Sequence, residues 1–298
     1  MPHFSVVVVT HNSAAELMEL IDSLERHLHE PPEIVVVDTD SSDGTLEAAG
    51  GRASVVELGH NPGFGAAANA GVATAGAPVT VVMNPDIVLL DDGLATLAAR
   101  ARTRRALLVP RLLNDDGSVQ RTAHPLPGRV GALLPALVHP RLLPGPLRLA
   151  ADPWRSATRR RVGWAVAACV AAQTELLRSL GPFDPLHFLF YEDLDLCLRA
   201  REEGVATELH PDVGLRHTGG HSTQAAYGGE PYELLARRRR ETVAARLGRR
   251  ALALDDVSEG LTFATRSAAR ALLGRDRSVQ RARLAALRRA RRAPEQPR

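Results

Sequence analysis

Lysine is absent from this 298-residue chain, and all 37 of its Lys-plus-Arg positions are arginine. That excludes Schiff-base catalysis and lysine-held phosphates, leaving arginine, backbone amides or a metal to meet any anionic leaving group. Cysteine is nearly as scarce. Cys169 and Cys197 sit in the apolar contexts AVAACVAA and LDLCLRA, which reads as two buried thiols rather than a disulfide or a metal centre. Aromatic residues make up 4% of the chain and do not interleave with the arginines, which argues against a nucleic-acid partner. The apolar stretch Val162 to Ala172 falls well short of the roughly 20 residues a membrane-spanning helix needs. The opening MPHFSVVVVT lacks a basic n-region and reads as a first strand rather than an export signal, so a cytoplasmic location is expected.

What charge there is, the chain divides unevenly. From Glu233 to Arg298 there are 18 Arg against 7 Asp plus Glu, so this tail is basic while the remaining body is acidic. A basic, helix-forming tail suits either a solvated face or peripheral contact with anionic phospholipid at the inner face of the membrane. The first hundred residues alternate β-branched runs with helical patterns, predicting an α/β domain with a mostly parallel sheet flanked by helices. Strands are expected at Phe4 to Thr10, Glu33 to Asp38, Ser54 to Leu58 and Val79 to Asn84, each buried on both faces. Leu17, Leu20, Ile21, Leu24 and Leu28 define a helix, with Ser13 and Glu16 as its capping box. Arg121 to Arg161 is proline-rich and predicts a long loop. Further on, a strand is expected over Val162 to Val170, a helix over Glu175 to Leu180 and another behind Glu192 that ends at Gly204. A short strand follows over Asp212 to Leu215, then arginine-rich helices and a frayed end, Pro294 to Arg298.

Three constellations carry chemistry. Asn84-Pro85-Asp86 follows a buried strand, which presents the Asp86 carboxylate at the sheet edge where a divalent cation binds between carboxylate and substrate phosphates. Read alone, the same turn is a helix cap for the segment starting near Asp91. Glu192, Asp193 and Asp195 crowd the start of a helix behind Phe188, Phe190 and Tyr191; one of them suits a general base, and a lone acid there is a helix-dipole stabiliser. His217, ahead of Gly219-Gly220, gains weight as a metal ligand only if it meets Asp86. Gly63-x-Gly65-x-x-Ala68, with Asp86 21 residues after Gly65, also imitates the fingerprint of a Rossmann-type dinucleotide-binding oxidoreductase. That fingerprint belongs in the first strand–helix turn, which here is Thr10-His11-Asn12-Ser13 with no glycine.

In order, SVVVVTHNSAAEL, EIVVVDTDSSDGT, HNPGFGAAANAG, VVMNPDIVL, GPFDPLHFLFYEDLDLCLR and RHTGGHST resemble the successive motifs of family 2 glycosyltransferases, in the bacterial rhamnosyltransferase-like branch. The resemblance spans about Phe4 to Thr223 and implies a GT-A fold over 1–223, with a sugar-nucleotide half (about 1–110), an acceptor half (about 111–223, holding the proline-rich loop 121–161) and a helical tail over 224–298. It implies an inverting, metal-dependent transfer of a sugar, rhamnose being the branch favourite, from a nucleoside diphosphate to a glycan or lipid-linked glycan acceptor of the cell envelope. Thr10, Asn12, Asp38 and Asp40 would contact the nucleoside, and Asn61, Gly63, Gly65 and Asn69 would line the floor beneath it. Asp86 and His217 would hold Mg2+ or Mn2+, with Asn84 in the place where many relatives carry another Asp. Asp193 would be the base and Glu192 its alternate. A binding module of the same fold without catalysis is the remaining reading.

Overall fold

The computed structural model describes residues 3–184, 189–219 and 228–293. Phe188, Gly220 to Thr223 and the expected frayed end Pro294 to Arg298 lie outside them. Two compact units result: residues 1–124 with 154–219, and residues 125–153 with 220–298.

In the first unit, β1 (Ser5–Thr10), β2 (Glu33–Asp38), β3 (Ser54–Glu57) and β4 (Val79–Met83) pair in parallel in the order β3-β2-β1-β4. The sheet continues through β10 (Cys169–Gln173), β6 (Ala106–Leu113), β11 (Ala206–His217) and β5 (Ile87–Leu89), with β8 (Arg160–Val162) also on β11. β10 runs antiparallel to both β4 and β6, whereas β6 and β11 are parallel. The C-terminal ends of β1, β2, β4, β6 and β11 therefore share one edge, and that edge collects the polar motifs. The intervening helices α1 (Ala14–His27), α2 (Thr45–Ala49), α3 (Phe64–Thr74), α4 (Gly93–Thr103), α7 (Thr174–Leu180) and α8 (Glu192–Glu202) complete the layers around a core of Val6, Val8, Leu17, Ile21, Val36, Val81, Leu94, Leu97 and Leu108. α3 lies tightly on the sheet: a Cβ at Gly71 would fall 2.3 Å from Val7 Cγ1.

Several expectations fail for physical reasons. β3 is mostly exposed, because it is the edge strand and β2 covers only one side of it. Ser13 does not cap α1; its hydroxyl donates to the His11 carbonyl, and Asp43, arriving from the β2–α2 loop, accepts from the Ala14 N–H at 3.1 Å. The single strand expected over Val162 to Val170 is broken into β8, β9 (Trp164–Ala165) and the start of β10, with β9 pairing instead to β7 (Ala123–His124). The strand expected over Asp212 to Leu215 is the end of the much longer β11, which passes through an irregularity between His210 and Gly214.

In the second unit, the proline-rich stretch is not a plain loop. It forms a 3-10 turn (Val130–Ala132), α5 (Leu133–Leu137) and α6 (Gly145–Ala151), alongside α9 (Tyr232–Leu272) and α10 (Ser278–Arg292). α9 is broken at Gly248, whose φ of 81° lies in the left-handed region that favours glycine. Arg239 with Asp255 and Arg240 with Asp256 pair across that break.

Candidate active site

Asp86 leaves β4 through Asn84 and Pro85, and the chain then enters β5 at Ile87, directly opposite His217 at the end of β11. This pairing carries Asp86 to His217: Nε2 of the imidazole stands 3.3 Å from Asp86 Oδ1. The other oxygen, Oδ2, accepts the Gly219 N–H at 2.9 Å, and the Thr218 N–H reaches the Asp86 carbonyl. Burial opposes ionisation of Asp86, but the neighbouring imidazole and the Gly219 amide outweigh it and hold the carboxyl below its ordinary range.

The imidazole is itself oriented by a residue the motifs did not single out. The turn Asn114 to Gly117 folds the chain back beside β6, so that the Gln120 N–H bonds the Leu112 carbonyl. Gln120 Nε2 donates to the His217 carbonyl at 2.7 Å and to Asn114 Oδ1 at 2.8 Å, which leaves Oε1 as the acceptor for His217 Nδ1–H at 2.8 Å. With Nδ1 committed, the other ring nitrogen faces Asp86 Oδ1, and Asn84 Nδ2 lies 3.4 Å from it. Asp86 Oδ1 is buried with no hydrogen-bond donor aligned on it. A carboxylate oxygen and an imidazole nitrogen converging in this way match the donor set of a small hard cation, which takes the place a proton otherwise fills between them. Among the described residues no cluster of three or more His, Cys, Asp or Glu side chains surrounds a common point.

The second acidic centre opens α8. Phe190 and Tyr191 both adopt left-handed φ values, 72° and 65°, a conformation costing non-glycine residues on the order of 1–3 kcal/mol each. That strained corner aims the first turn of α8. Asp193 is half-buried; its Oδ1 accepts the Leu194 N–H at 2.7 Å, and the Ala167 N–H bonds the same carboxylate. Burial pushes its pKa up to about 6 in spite of those amides. The next residue, Ala168, accepts the Asn84 N–H at 2.9 Å. Residues 167–168 therefore tie the Asp193 carboxylate to the strand end that carries Asp86. Glu192 is buried beside it. Asp195 is taken out of contention by an ion pair with Arg199 at 2.7 Å, and Arg199 also grips the Leu180 and Pro182 carbonyls. Trp164, unremarked in the sequence, stacks on His124 with centroids 4.3 Å apart and lies 5.9 Å from the Tyr191 ring; its only sequence signal was its position in a strand near the motifs.

The remaining expected residues lie along the same sheet edge, unequally available. Thr10 donates to Asp38 Oδ1 at 3.0 Å, and Asp38 Oδ2 accepts the Ser41 N–H, so the buried Asp38 is a loop organiser as well as an edge acid. Asn12 and Asp40 both have positive φ, and the Asn12 amide oxygen holds the Ser42 N–H. Asp40 is exposed. Asn61 folds onto the Gly63 N–H at 3.0 Å. Gly65 packs against Phe183, where a Cβ would fall 2.9 Å from the Phe183 Cβ. The Asn69 amide bonds the Phe183 backbone, donating to the carbonyl at 2.7 Å and accepting from the N–H at 2.9 Å, so it also braces the approach to α8.

Comparison with known proteins bears on the family and the fold. The model described as Glycosyl transferase family 2 matches residues 5–160. The chain is 30% identical over 261 residues to an N-acetylglucosaminyl-diphospho-decaprenol L-rhamnosyltransferase of Mycobacterium tuberculosis, covering 80% of this chain and 81% of that protein. Among solved structures it is similar to a mannosyltransferase from Pyrobaculum calidifontis in complex with GDP-Man and Mn2+, with a TM-score of 0.60 at 16% identity, covering 97% of this chain and 86% of that one. It also resembles a glucosyl-3-phosphoglycerate synthase from Mycobacterium tuberculosis, in complex with Mn2+, UDP and glucosyl-3-phosphoglycerate, with a TM-score of 0.52 at 20% identity, covering 83% of this chain and 80% of that one.

Proposed function

Because this chain belongs to glycosyl transferase family 2, in its rhamnosyltransferase-like branch, we propose that it transfers a sugar from a nucleoside diphosphate to an acceptor hydroxyl by single displacement, with Asp193 as the base. The fold is GT-A in type, with a central sheet flanked by helices and a C-terminal helical segment. The function is that of a nucleotide-sugar glycosyltransferase of cell-envelope biosynthesis, which sets aside the oxidoreductase and the non-catalytic binding module.

The observation that carries the mechanism is the opposite treatment of two carboxylates joined through residues 167–168. Asp86 is held ionised by His217 and an amide, as a charge holder requires. Asp193 is raised to about 6, close enough to neutrality to accept a proton and strong enough to be ionised at pH 7. In this reading Asp193 takes the acceptor hydroxyl's proton as the hydroxyl oxygen attacks the anomeric carbon, and the diphosphate departs from the opposite face with inversion. The ion pair with Arg199 removes Asp195 as an enzyme nucleophile, which favours one displacement over two. Asp86 and His217 would hold Mg2+ or Mn2+, which when bound supplies positive charge against the departing diphosphate. Gln120 fixes the imidazole. Thr10, Asn12, Asp38 and Asp40 serve the nucleoside, and Asn61, Gly63, Gly65 and Asn69 the floor beneath it, Asn69 also bracing the Phe183 segment. The sugar-nucleotide half is taken as about 1–110, the acceptor half as about 111–223 and the tail as 224–298.

Rhamnose is the donor sugar this reading favours and a polyprenyl-linked glycan the acceptor, after the name of the mycobacterial relative. An acceptor of that kind places the enzyme at the inner face of the membrane, and the arginine-rich C-terminal region suits it. No helix among the described residues is long and apolar enough to cross a membrane. A thermal-shift panel of nucleotide sugars with and without Mn2+ tests the donor assignment. The reading expects one nucleoside diphosphate series to stabilise the protein only when the metal is present; equal shifts without metal would contradict it.

A further inference from the structure

We infer that the second unit docks on an anionic phospholipid surface through an apolar ridge of Val130, Leu134, Leu137 and Leu142, set in the proline-rich segment rather than in the arginine-rich end of the chain. The ridge is built by how the segment lies on α9. At its start the chain closes on the helix at Gly128, where a Cβ would fall 2.6 Å from that of Ala251. At its end Thr265 Oγ1 donates to the Ala136 carbonyl at 2.7 Å, and Arg266 Nη2 to the Pro135 carbonyl at 2.6 Å. Ala136 is buried as a result. Val130, Leu134 and Leu137 follow one another at helical spacing and face away, 68%, 44% and 57% exposed, and Leu142 beyond them is 78% exposed. Leu272 and Leu273, also exposed, sit past Thr265 in the direction in which the segment runs.

A row of exposed leucines on a folded surface marks a binding site, and charge says for what. On formal charges the second unit carries a net +12 and the first −9. The ridge segment itself holds exposed Arg129, Arg141 and Arg148 against a single acid, Asp152, and none of the three forms an ion pair among the described residues. Apolar side chains flanked by arginines match the interfacial zone of a bilayer, where the chains enter the acyl boundary and the guanidinium groups meet headgroup phosphates. Pairing with a second copy through the same face would press two strongly positive surfaces together, and the segment has no Phe, Tyr or Trp on which a nucleobase could stack. The C-terminal helix α10 offers less to insert: Ala286, Leu287 and Ala290 are buried and Val279 is its one exposed large apolar side chain, so its arginines add mainly attraction.

The inference deepens the lipid-linked-acceptor reading and draws its purpose from it, but its test uses neither sugar nucleotide nor glycan. The full chain is floated with phosphatidylcholine vesicles and with vesicles that also contain phosphatidylglycerol, beside Leu134→Glu/Leu137→Glu and Arg129→Glu/Arg141→Glu/Arg148→Glu variants. Melting temperature and solution mass are measured in parallel. The unsubstituted chain is expected to float only with the anionic vesicles. The leucine variant should lose about tenfold or more of that binding and the arginine variant several-fold, with unchanged melting because all five side chains are exposed. Failure of the unsubstituted chain to float, equal flotation of the leucine variant, or a dimer that the leucine substitutions split while flotation is unaffected would each overturn the inference. A chain that floats as expected yet transfers no sugar would count against the enzymatic reading alone.

Discussion

Asp86 and Asp193 are the same residue type on one sheet edge, and the protein treats them oppositely. Asp86 is met by an imidazole and the Gly219 amide and stays below the usual carboxylate range. Asp193 sits at a strained helix start, with burial pushing it up to about 6. Composition cannot distinguish them; surroundings do, and on the proposed mechanism the difference divides the labour between holding charge and moving a proton.

The largest effect should come from removing the basic member of the pair. Asp193→Asn is expected to lower kcat by about 10^3-fold or more while nucleotide binding changes less than about twofold, measured by steady-state kinetics beside calorimetry. Asp86→Asn should invert that pattern, weakening metal-dependent nucleotide binding by about 100-fold, and an unaltered affinity would dissolve the contrast. Gln120→Leu, which frees His217 Nδ1, should weaken Mn2+ binding by about 10–100-fold, read by the paramagnetic signal of free manganese without any turnover.

The pH dependence sharpens the comparison further. Because the base must be ionised and its pKa is raised to about 6, kcat/KM should be level above neutrality and fall about tenfold per pH unit below about 6. A profile flat down to pH 5 would contradict the assignment. The smallest effect concerns the scaffold. Asp43→Ala, which removes the partner of the Ala14 N–H, should cost about 1 kcal/mol in a denaturant melt, and Ser13→Ala less.

Those scaffold residues also show what the sequence conveys. Local chemistry was legible: Asn84-Pro85-Asp86 and His217 stood out by residue type and position after strands, and Glu192-Asp193 by opening a helix behind aromatic residues. The meeting of Asp86 with His217 was implied by the family resemblance alone; residue type and spacing do not reveal it, because it depends on β5 pairing antiparallel to β11, a contact across 130 positions between a three-residue strand and one visible in sequence only at its end. Gln120 was invisible for a related reason: an isolated glutamine after a polar turn carries no signal until the turn folds it back beside β6. The bond between the Asn69 amide and the Phe183 backbone was invisible because no motif records a backbone partner. The proline-rich segment was read as a loop because prolines mask short helices, and its apolar ridge emerges only once Ala136 is seen against α9.

The central claim is that metal and base are separate duties of two carboxylates in one site. Its most direct test is a manganese titration of nucleoside-diphosphate binding to the unsubstituted chain, Asp86→Asn and Asp193→Asn. The account predicts metal-dependent binding that survives in Asp193→Asn and is lost in Asp86→Asn. Loss in Asp193→Asn with retention in Asp86→Asn, or binding indifferent to manganese throughout, would contradict it.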